Sequence, residues 1–363
     1  MRQIIKKLYI IIISFLNMIY RKKKVQSDQI VVMMTFAEDV LPIIEALHRK
    51  GYKLTVIGTE KNRKYIQHIE NTVFLPAGNK QVFKHIKALS SAKVIVIDTY
   101  YLIMGGFKKK KQQTVVQTWH AAGALKNFGF TDRQVDLSNS KIVQQYKKVY
   151  DATDKYIIGG EPMADCFKES FGANEEQFLR TGLPRLVPYA RLDVEQRQHE
   201  LKQQYGINGK VAAYVPTYRE HKQANRVIDK QKFEAKLPEY TLLSKLHPSI
   251  ATEQQTTINL QSLMILADVI ISDYSSLAIE ASILQKPTLF YVYDEADYNR
   301  TRGLNVFYEK IPEAYKAYSE DELMHKLHEK SYAPALLFED WHEYNTKDSL
   351  TRIINEIEKM VKK

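Results

Sequence analysis

Apolar residues occur in short runs separated by polar stretches of helical period, from residue 29 to the C terminus. The runs QIVVMM (29–34), KLTVIG (53–58), TVFL (72–75), KVIVID (93–98) and TVVQTW (114–119) are brief and rich in β-branched residues. Such continuous runs predict strands buried on both faces, as in a parallel sheet. Between them lie helical patterns: VLPIIEALHRKG stopped by Gly51, a polar helix after Gly58, and a helix at 82–89. A helix at 141–150, the strand KYIIGG (155–160) and a short strand within FLRTGLPR (178–185) complete a first half. A polar helix at 192–205 opens a second alternation: VAAYVPTY, YTLLSKLHP, MILADVIISDYSS, the helix LAIEASILQ, and PTLFYVY. Alternation of this kind predicts an α/β chain of two Rossmann-like domains without internal repeats. The expected divisions are 1–27, 28–185, 186–340 and a C-terminal helix at 341–363.

The pattern differs before residue 28. Leu8–Tyr20 (LYIIIISFLNMIY) is apolar over 13 residues and bracketed by Lys6, Lys7 and the run Arg21–Lys24. A helical bilayer crossing needs about 20 apolar residues, so the segment is too short to span. It lacks the small-residue cleavage site of a signal peptide. On a helix, Lys7, Ser14, Asn17 and Arg21 share one side, and Leu8, Ile12, Phe15 and Ile19 the other. This predicts a monotopic interfacial helix whose lysines meet anionic headgroups, with docking against the first domain as the competing outcome.

Length and composition agree with two domains: 363 residues, 44% hydrophobic. The formal net charge of +11 calls for an anionic partner. Nucleic acid is the weaker choice, because the basic residues are not interleaved with aromatics in any recognised module. Lys108–Lys111 form a second basic run, either a solvated loop or a membrane-facing patch. The lone Cys166 excludes an internal disulfide and any multi-cysteine metal site.

In open parallel sheets, ligands lie beyond the carboxyl ends of the strands. There, His120 follows the strand TVVQTW and precedes Ala-Ala-Gly, small residues that admit a substrate or a neighbouring backbone. An imidazole so placed can accept a hydroxyl proton near neutral pH; a capping or core histidine is the alternative. In the second half, successive strand ends carry Pro216, Thr217 and Arg219, then Lys245 and His247, then Asp273, Ser275 and Ser276. Either serine can cap the following helix, whose first turn contains Glu280. Arg302, in TRGL, follows the acidic, aromatic stretch YVYDEADYNR. Cations and hydroxyls converging on one edge predict a diphosphate-binding site. No DxD motif, P-loop or HExxH pattern is present, so neither a cofactor nor a catalytic metal is expected.

The ordered set QTWHAAGALKNFG, GLPR, YVPTYRE, KLHP, ISDYSSLAIEASILQKPTLFYVYD and RGL resembles the CDP-glycerol glycerophosphotransferases of teichoic acid synthesis, over essentially the whole chain. The compact length resembles members that add one glycerol phosphate rather than the longer polymerases. The resemblance implies a GT-B-like fold, with acceptor bound in the N-terminal half and CDP-glycerol in the C-terminal half. It implies transfer of glycerol phosphate to an undecaprenyl-diphosphate-linked N-acetylmannosaminyl-N-acetylglucosamine, release of CMP, and priming of wall teichoic acid at the cytoplasmic face of an anionic membrane. By motif, His120 is the candidate base and His247 a second catalytic group. Arg219, His247, Ser275 and Ser276 would contact the donor phosphates, Asp273 would help shape their site, and Pro216, Thr217, Lys245, Glu280 and Arg302 would complete the donor set. A polymerase, a GT-B sugar transferase and a non-catalytic lipid-binding protein remain the alternatives.

Overall fold

The computed structural model describes residues 2–217, 219, 226–246, 255–329 and 337–363. The chain divides into two units. The first comprises residues 1–120, 135–187 and 343–363, and the second residues 121–134 and 188–342. The chain passes from the first unit to the second after Val187. Two exchanges were not foreseen: the stretch after His120 belongs to the second unit, and the C-terminal helix belongs to the first.

The first unit holds a seven-stranded sheet of β1 (Gln29–Met34), β2 (Lys53–Gly58), β3 (Thr72–Pro76), β4 (Val94–Ile97), β5 (Thr114–Gln117), β6 (Lys155–Ile157) and β7 (Phe178–Leu179). Its order is β3-β2-β1-β4-β5-β6-β7, and every pairing is parallel. Central strands are apolar throughout because helices cover both faces; Ile30, Val31, Val32 and Val94–Val96 are fully buried. A helix at Glu161–Phe171, unmarked in the sequence pattern, connects β6 to β7. The C-terminal helix Ser349–Lys362 buries Ile353, Ile354, Ile357 and Met360 at helical spacing. Lys50, just beyond α2 (Ala37–Arg49), forms an ion pair with its Glu358.

The N-terminal helix α1 (Arg2–Ile19) docks on this unit through Ile13, which is fully buried, and through Tyr9 and Leu16, with Tyr20 just beyond its end packing alongside. Ser14 donates to the Gly106 carbonyl, and Asn17 accepts from the Lys108 amide. The backbones meet at Gly106, where a Cβ would lie 2.7 Å from both the Ile10 carbonyl and the Ile13 Cβ. The opposite side exposes Ile4, Leu8, Ile11, Ile12, Phe15, Met18 and Ile19. One side of the segment is therefore docked on the first unit, the competing outcome, while its other side leaves a row of apolar residues exposed. No helix among the described residues is long and apolar enough to cross a membrane.

The second unit holds a five-stranded parallel sheet of β8 (Lys210–Tyr214), β9 (Tyr240–Ser244), β10 (Val269–Ser272), β11 (Thr288–Tyr291) and β12 (Lys316–Ala317), in the order β12-β11-β10-β8-β9. The two-residue β12 carries no readable period and was not anticipated. Its core gathers Tyr214, Phe233, Leu242, Ile271, Leu289 and Leu323.

Candidate functional site

In each sheet the strand order reverses beside the first strand: between β1 and β4 in one, between β8 and β10 in the other. Such switch points open a crevice at the carboxyl ends of the strands. Both are closed by the same device. Asp98, just past β4, accepts hydrogen bonds from the amides of Thr35 (2.6 Å) and Phe36 (2.7 Å), just past β1. Asp273, just past β10, accepts from the amide of Thr217 (2.9 Å) and its hydroxyl (2.7 Å), past β8. Neither symmetry nor clamp is visible as a sequence repeat, because one aspartate and the backbone amides it holds leave no periodic signature.

His120 sits on the first clamp. Its ring stacks on Phe36 with centroids 4.7 Å apart and meets the Trp119 ring, tilted by 40°, at 4.2 Å. Trp119 adopts φ +63°, a left-handed conformation costly for a bulky residue, in the turn that presents the imidazole. His120 Nδ1 lies 3.2 Å from the Asp98 carbonyl. A carbonyl only accepts, so Nδ1 carries the hydrogen and Nε2 is the basic nitrogen of the neutral ring. Arg185, from GLPR, donates to the His120 carbonyl (2.7 Å) and pairs with buried Asp39 at 3.4 Å. Burial pushes the Asp98 carboxyl up to about 6, against the pull of Tyr101 (2.6 Å) and the two amides.

In the second unit, Arg219 is buried. Its Nε and Nη2 bind the two oxygens of Asp294 (2.7 and 3.0 Å), and its Nη1 binds Asp273 (2.9 Å) and the Thr217 carbonyl (2.6 Å). The rings of Tyr274, Tyr293 and Tyr298 surround it at 4.7–5.7 Å. Its guanidinium is thus committed to carboxylates and ties the ends of β8, β10 and β11 together.

The cation that sequence reasoning missed is Lys126. Residues 121–134 are laced to the TRGL segment: Asn127 N–H donates to the Gly303 carbonyl, Asn305 N–H to the Leu125 carbonyl, and Lys126 bridges to Leu304. Gly303 takes φ +86°, and a Cβ there would meet the Asn127 amide nitrogen at 2.5 Å. No hydrogen bond or ion pair among the described residues engages the half-buried Lys126 ammonium. Burial lowers its pKa; Asp273 and Asp132 raise it, and Arg302 and Arg219 lower it. Its backbone bridge to Leu304 brings it to the segment carrying Arg302, which pairs with Asp132 at 3.6 Å and donates to Gln134. Its only sequence signal is its place six residues after His120 in the motif.

The other expected donor residues distribute unevenly. Pro216 is half-buried at the β8 exit. Ser275 accepts from the Leu277 amide at 3.2 Å, and Ser276 precedes the helix Leu277–Ser282 without a side-chain cap bond. Lys245 is directed to the carbonyls of Ile258 (2.6 Å) and Thr256 (3.4 Å), holding a neighbouring loop. Glu280 lies 3.5 Å from the Tyr189 hydroxyl. His247 falls outside the described residues. Gly123, expected to leave room for substrate, instead lies against Trp341 and Ile279. A cavity of about 720 Å³ past β11 is lined by Asp294, Glu295 and Asp297 against Arg226, a balance of charge unsuited to a diphosphate.

The first unit thus presents an imidazole whose Nε2 is basic, and the second presents the hydroxyls of Ser275 and Ser276 past β10 together with the cations Lys126 and Arg302. A family model described as CDP-Glycerol:Poly(glycerophosphate) glycerophosphotransferase matches residues 15–359. The teichoic acid glycerol-phosphate primase of Staphylococcus aureus (strain NCTC 8325 / PS 47) is 50% identical over 367 residues, covering 100% of both chains. That of Bacillus subtilis (strain 168) is 28% identical over 381 residues, covering 99% of both. A solved structure of the wall teichoic acid polymerase TagF matches with a TM-score of 0.74 at 19% identity, covering 99% of this chain and 98% of that one, which shows a common fold.

Proposed function

Since the chain belongs to the CDP-glycerol glycerophosphotransferase family, we propose that it adds one glycerol phosphate from CDP-glycerol to an undecaprenyl-diphosphate-linked ManNAc-GlcNAc disaccharide, priming wall teichoic acid. The observation that carries this reading is the half-identical relative, matched end to end and itself named a glycerol-phosphate primase. The exposed apolar face of α1, flanked by lysines, supports work at an anionic membrane surface, with the cytoplasmic face as the side where a nucleotide-activated donor is available.

In the proposed reaction, an acceptor sugar hydroxyl attacks the phosphorus that bears glycerol. The bond from that phosphorus to the oxygen of CMP breaks, and CMP leaves. His120 Nε2 takes the hydroxyl proton, with Nδ1 held by the Asp98 carbonyl. Lys126, Arg302 and the hydroxyls of Ser275 and Ser276 hold the diphosphate, and His247 is assigned to the same step. Arg219 and Asp273 act through the frame they brace rather than by touching phosphate. Positioning and charge stabilisation dominate such phosphoryl transfers.

Incubation with CDP-glycerol and a lipid disaccharide analogue, followed by mass spectrometry, tests the reading. A product heavier by one glycerol phosphate, with one CMP per product, is expected. Long glycerol phosphate chains would make it a polymerase; transfer from a sugar nucleotide would make it a glycosyltransferase. No turnover with any activated donor would leave a lipid-binding protein.

A further inference from the structure

A second cavity, in the first unit, is unused by the mechanism above. It measures about 360 Å³ and lies under α1 at the carboxyl ends of β1 and β2. Ile5, Tyr9, Met33, Ile57, Leu102 and Ile103 wall it. Thr35 and Tyr101 also line it, and their hydroxyls hydrogen-bond to each other at 2.8 Å. Lys6 of α1 lines it as well.

Two features identify what such a space would hold. First, α1 serves it and the surface together. Ile5, Lys6 and Tyr9 line the cavity, while Ile4, Leu8, Ile11 and Phe15 of the same helix form the open apolar stripe. An amphiphile whose tail lies in a bilayer can therefore follow α1 toward the apolar wall of the cavity, whose remaining lining includes the polar Thr59, Asn79 and His85. Second, the hydroxyl end of the cavity adjoins the base. Tyr101 and the amides of Thr35 and Phe36 all donate to Asp98, and the Phe36 ring stacks on His120. A dry cavity of about 150 Å³ takes one benzene. On that scale the space admits roughly a dozen carbons, two to three isoprene units.

We propose that this cavity binds the head-proximal isoprenoid units of the lipid-linked acceptor, with Lys6 beside its diphosphate, so that the attached sugars extend past Thr35 and Phe36 toward His120. The inference rests on the transferase reading and deepens it: acceptor recognition includes the lipid, not the disaccharide alone.

The full-length chain is assayed at saturating CDP-glycerol with two acceptors, the disaccharide diphosphate carried on a 15-carbon isoprenoid and the same head on a methyl group. Wild type is expected to favour the isoprenoid acceptor at least tenfold in kcat/KM. Ala77→Trp, a substitution at an exposed lining position, should lower that preference tenfold or more. Independently, an isoprenoid diphosphate with a diazirine on its third unit should label Tyr9, Ile57 or Ile103 on irradiation. Equal kcat/KM for the two acceptors in wild type, an unchanged preference in Ala77→Trp, or labels confined to Leu8, Ile11 and Phe15 would each overturn the cavity assignment while the transferase reading stood. A wild-type chain inert toward both acceptors would overturn the transferase reading itself, and the inference with it.

Discussion

His120 and Lys126 are six residues apart in one motif, yet the proposed mechanism gives them different tasks. His120 is stacked, tautomerically set and half-exposed, as a general base requires. Replacing it by Gln should lower kcat by about 10²–10⁴-fold with the unfolding midpoint retained; wild-type turnover would remove it from the mechanism. Lys126 and Arg219 contrast more sharply. A charged group hydrogen-bonded to a ligand contributes about 1.5–3 kcal/mol. Lys126→Met should therefore raise the KM for CDP-glycerol about 10–100-fold, with stability unchanged or improved, since burial disfavours the ammonium. Arg219→Gln leaves Asp273 and Asp294 as unpaired buried or half-buried charges, and should cost about 3–5 kcal/mol in urea unfolding. If instead Arg219→Gln stays fully stable and only donor affinity falls, the arginine touches phosphate after all. Asp98 sets a pH dependence. Its folded pKa, about 6, exceeds the usual 3.8, so folding takes up a proton between these values. Its contribution is full below about pH 4 and is lost as pH rises through 6, by at most about 3 kcal/mol. The stability difference between wild type and Asp98→Asn should follow that curve; a difference constant from pH 4 to 7 would show that Asp98 titrates normally.

At the scale of elements, α1 was legible in its two faces, although it begins at Arg2, six residues before the apolar run, and so contains Lys6 and Lys7. What the pattern did not reveal is that the side carrying Ser14 and Asn17 is the docked one, since the partner surface, with its close approach at Gly106, lies about 90 residues downstream. The open stripe makes a direct prediction. Fully burying a Leu, Ile or Phe side chain contributes about 1.5–3 kcal/mol. The triple change Leu8→Gln, Ile12→Gln, Phe15→Gln should weaken binding to acidic vesicles at least tenfold without lowering the unfolding midpoint, because none of the three packs on the core. Unaltered vesicle binding would assign membrane attachment to another surface. Most strand starts were read to within a residue, but several ends were overrun, as in KYIIGG and YTLLSKLHP, because an apolar run does not mark where pairing stops. The helix Glu161–Phe171 was missed: Gly-Gly precedes it and Glu, Asp and Lys interrupt its apolar positions.

At the scale of the molecule, the chain is not two consecutive beads. It leaves the first unit after His120, returns at Val135, leaves again after Val187, and comes back at Glu343. The final return buries Ile353, Ile354, Ile357 and Met360 in the first unit, about 6–12 kcal/mol of apolar burial, comparable to the whole stability of an ordinary domain. Deleting residues 349–363 should therefore abolish cooperative unfolding of the first unit, seen as loss of its calorimetric transition or as insoluble protein. A truncated chain that melts normally would show that helix to be an appendage.

The sequence alone determined the parallel α/β class, nearly every strand, and the strand ends where chemistry gathers, because those depend on local composition and on period. It also determined the family, since a set of motifs in fixed order survives without any knowledge of contacts. Only the tertiary structure decided that Arg219 braces while Lys126 stands available, that Lys245 is spent on a loop, that Asp98 and Asp273 close equivalent crevices, and that the last helix belongs to the first unit. Each of these depends on which distant carboxylate, carbonyl or apolar face a side chain meets. That pairing is set by the three-dimensional packing of segments tens to hundreds of residues apart, and no local pattern encodes it.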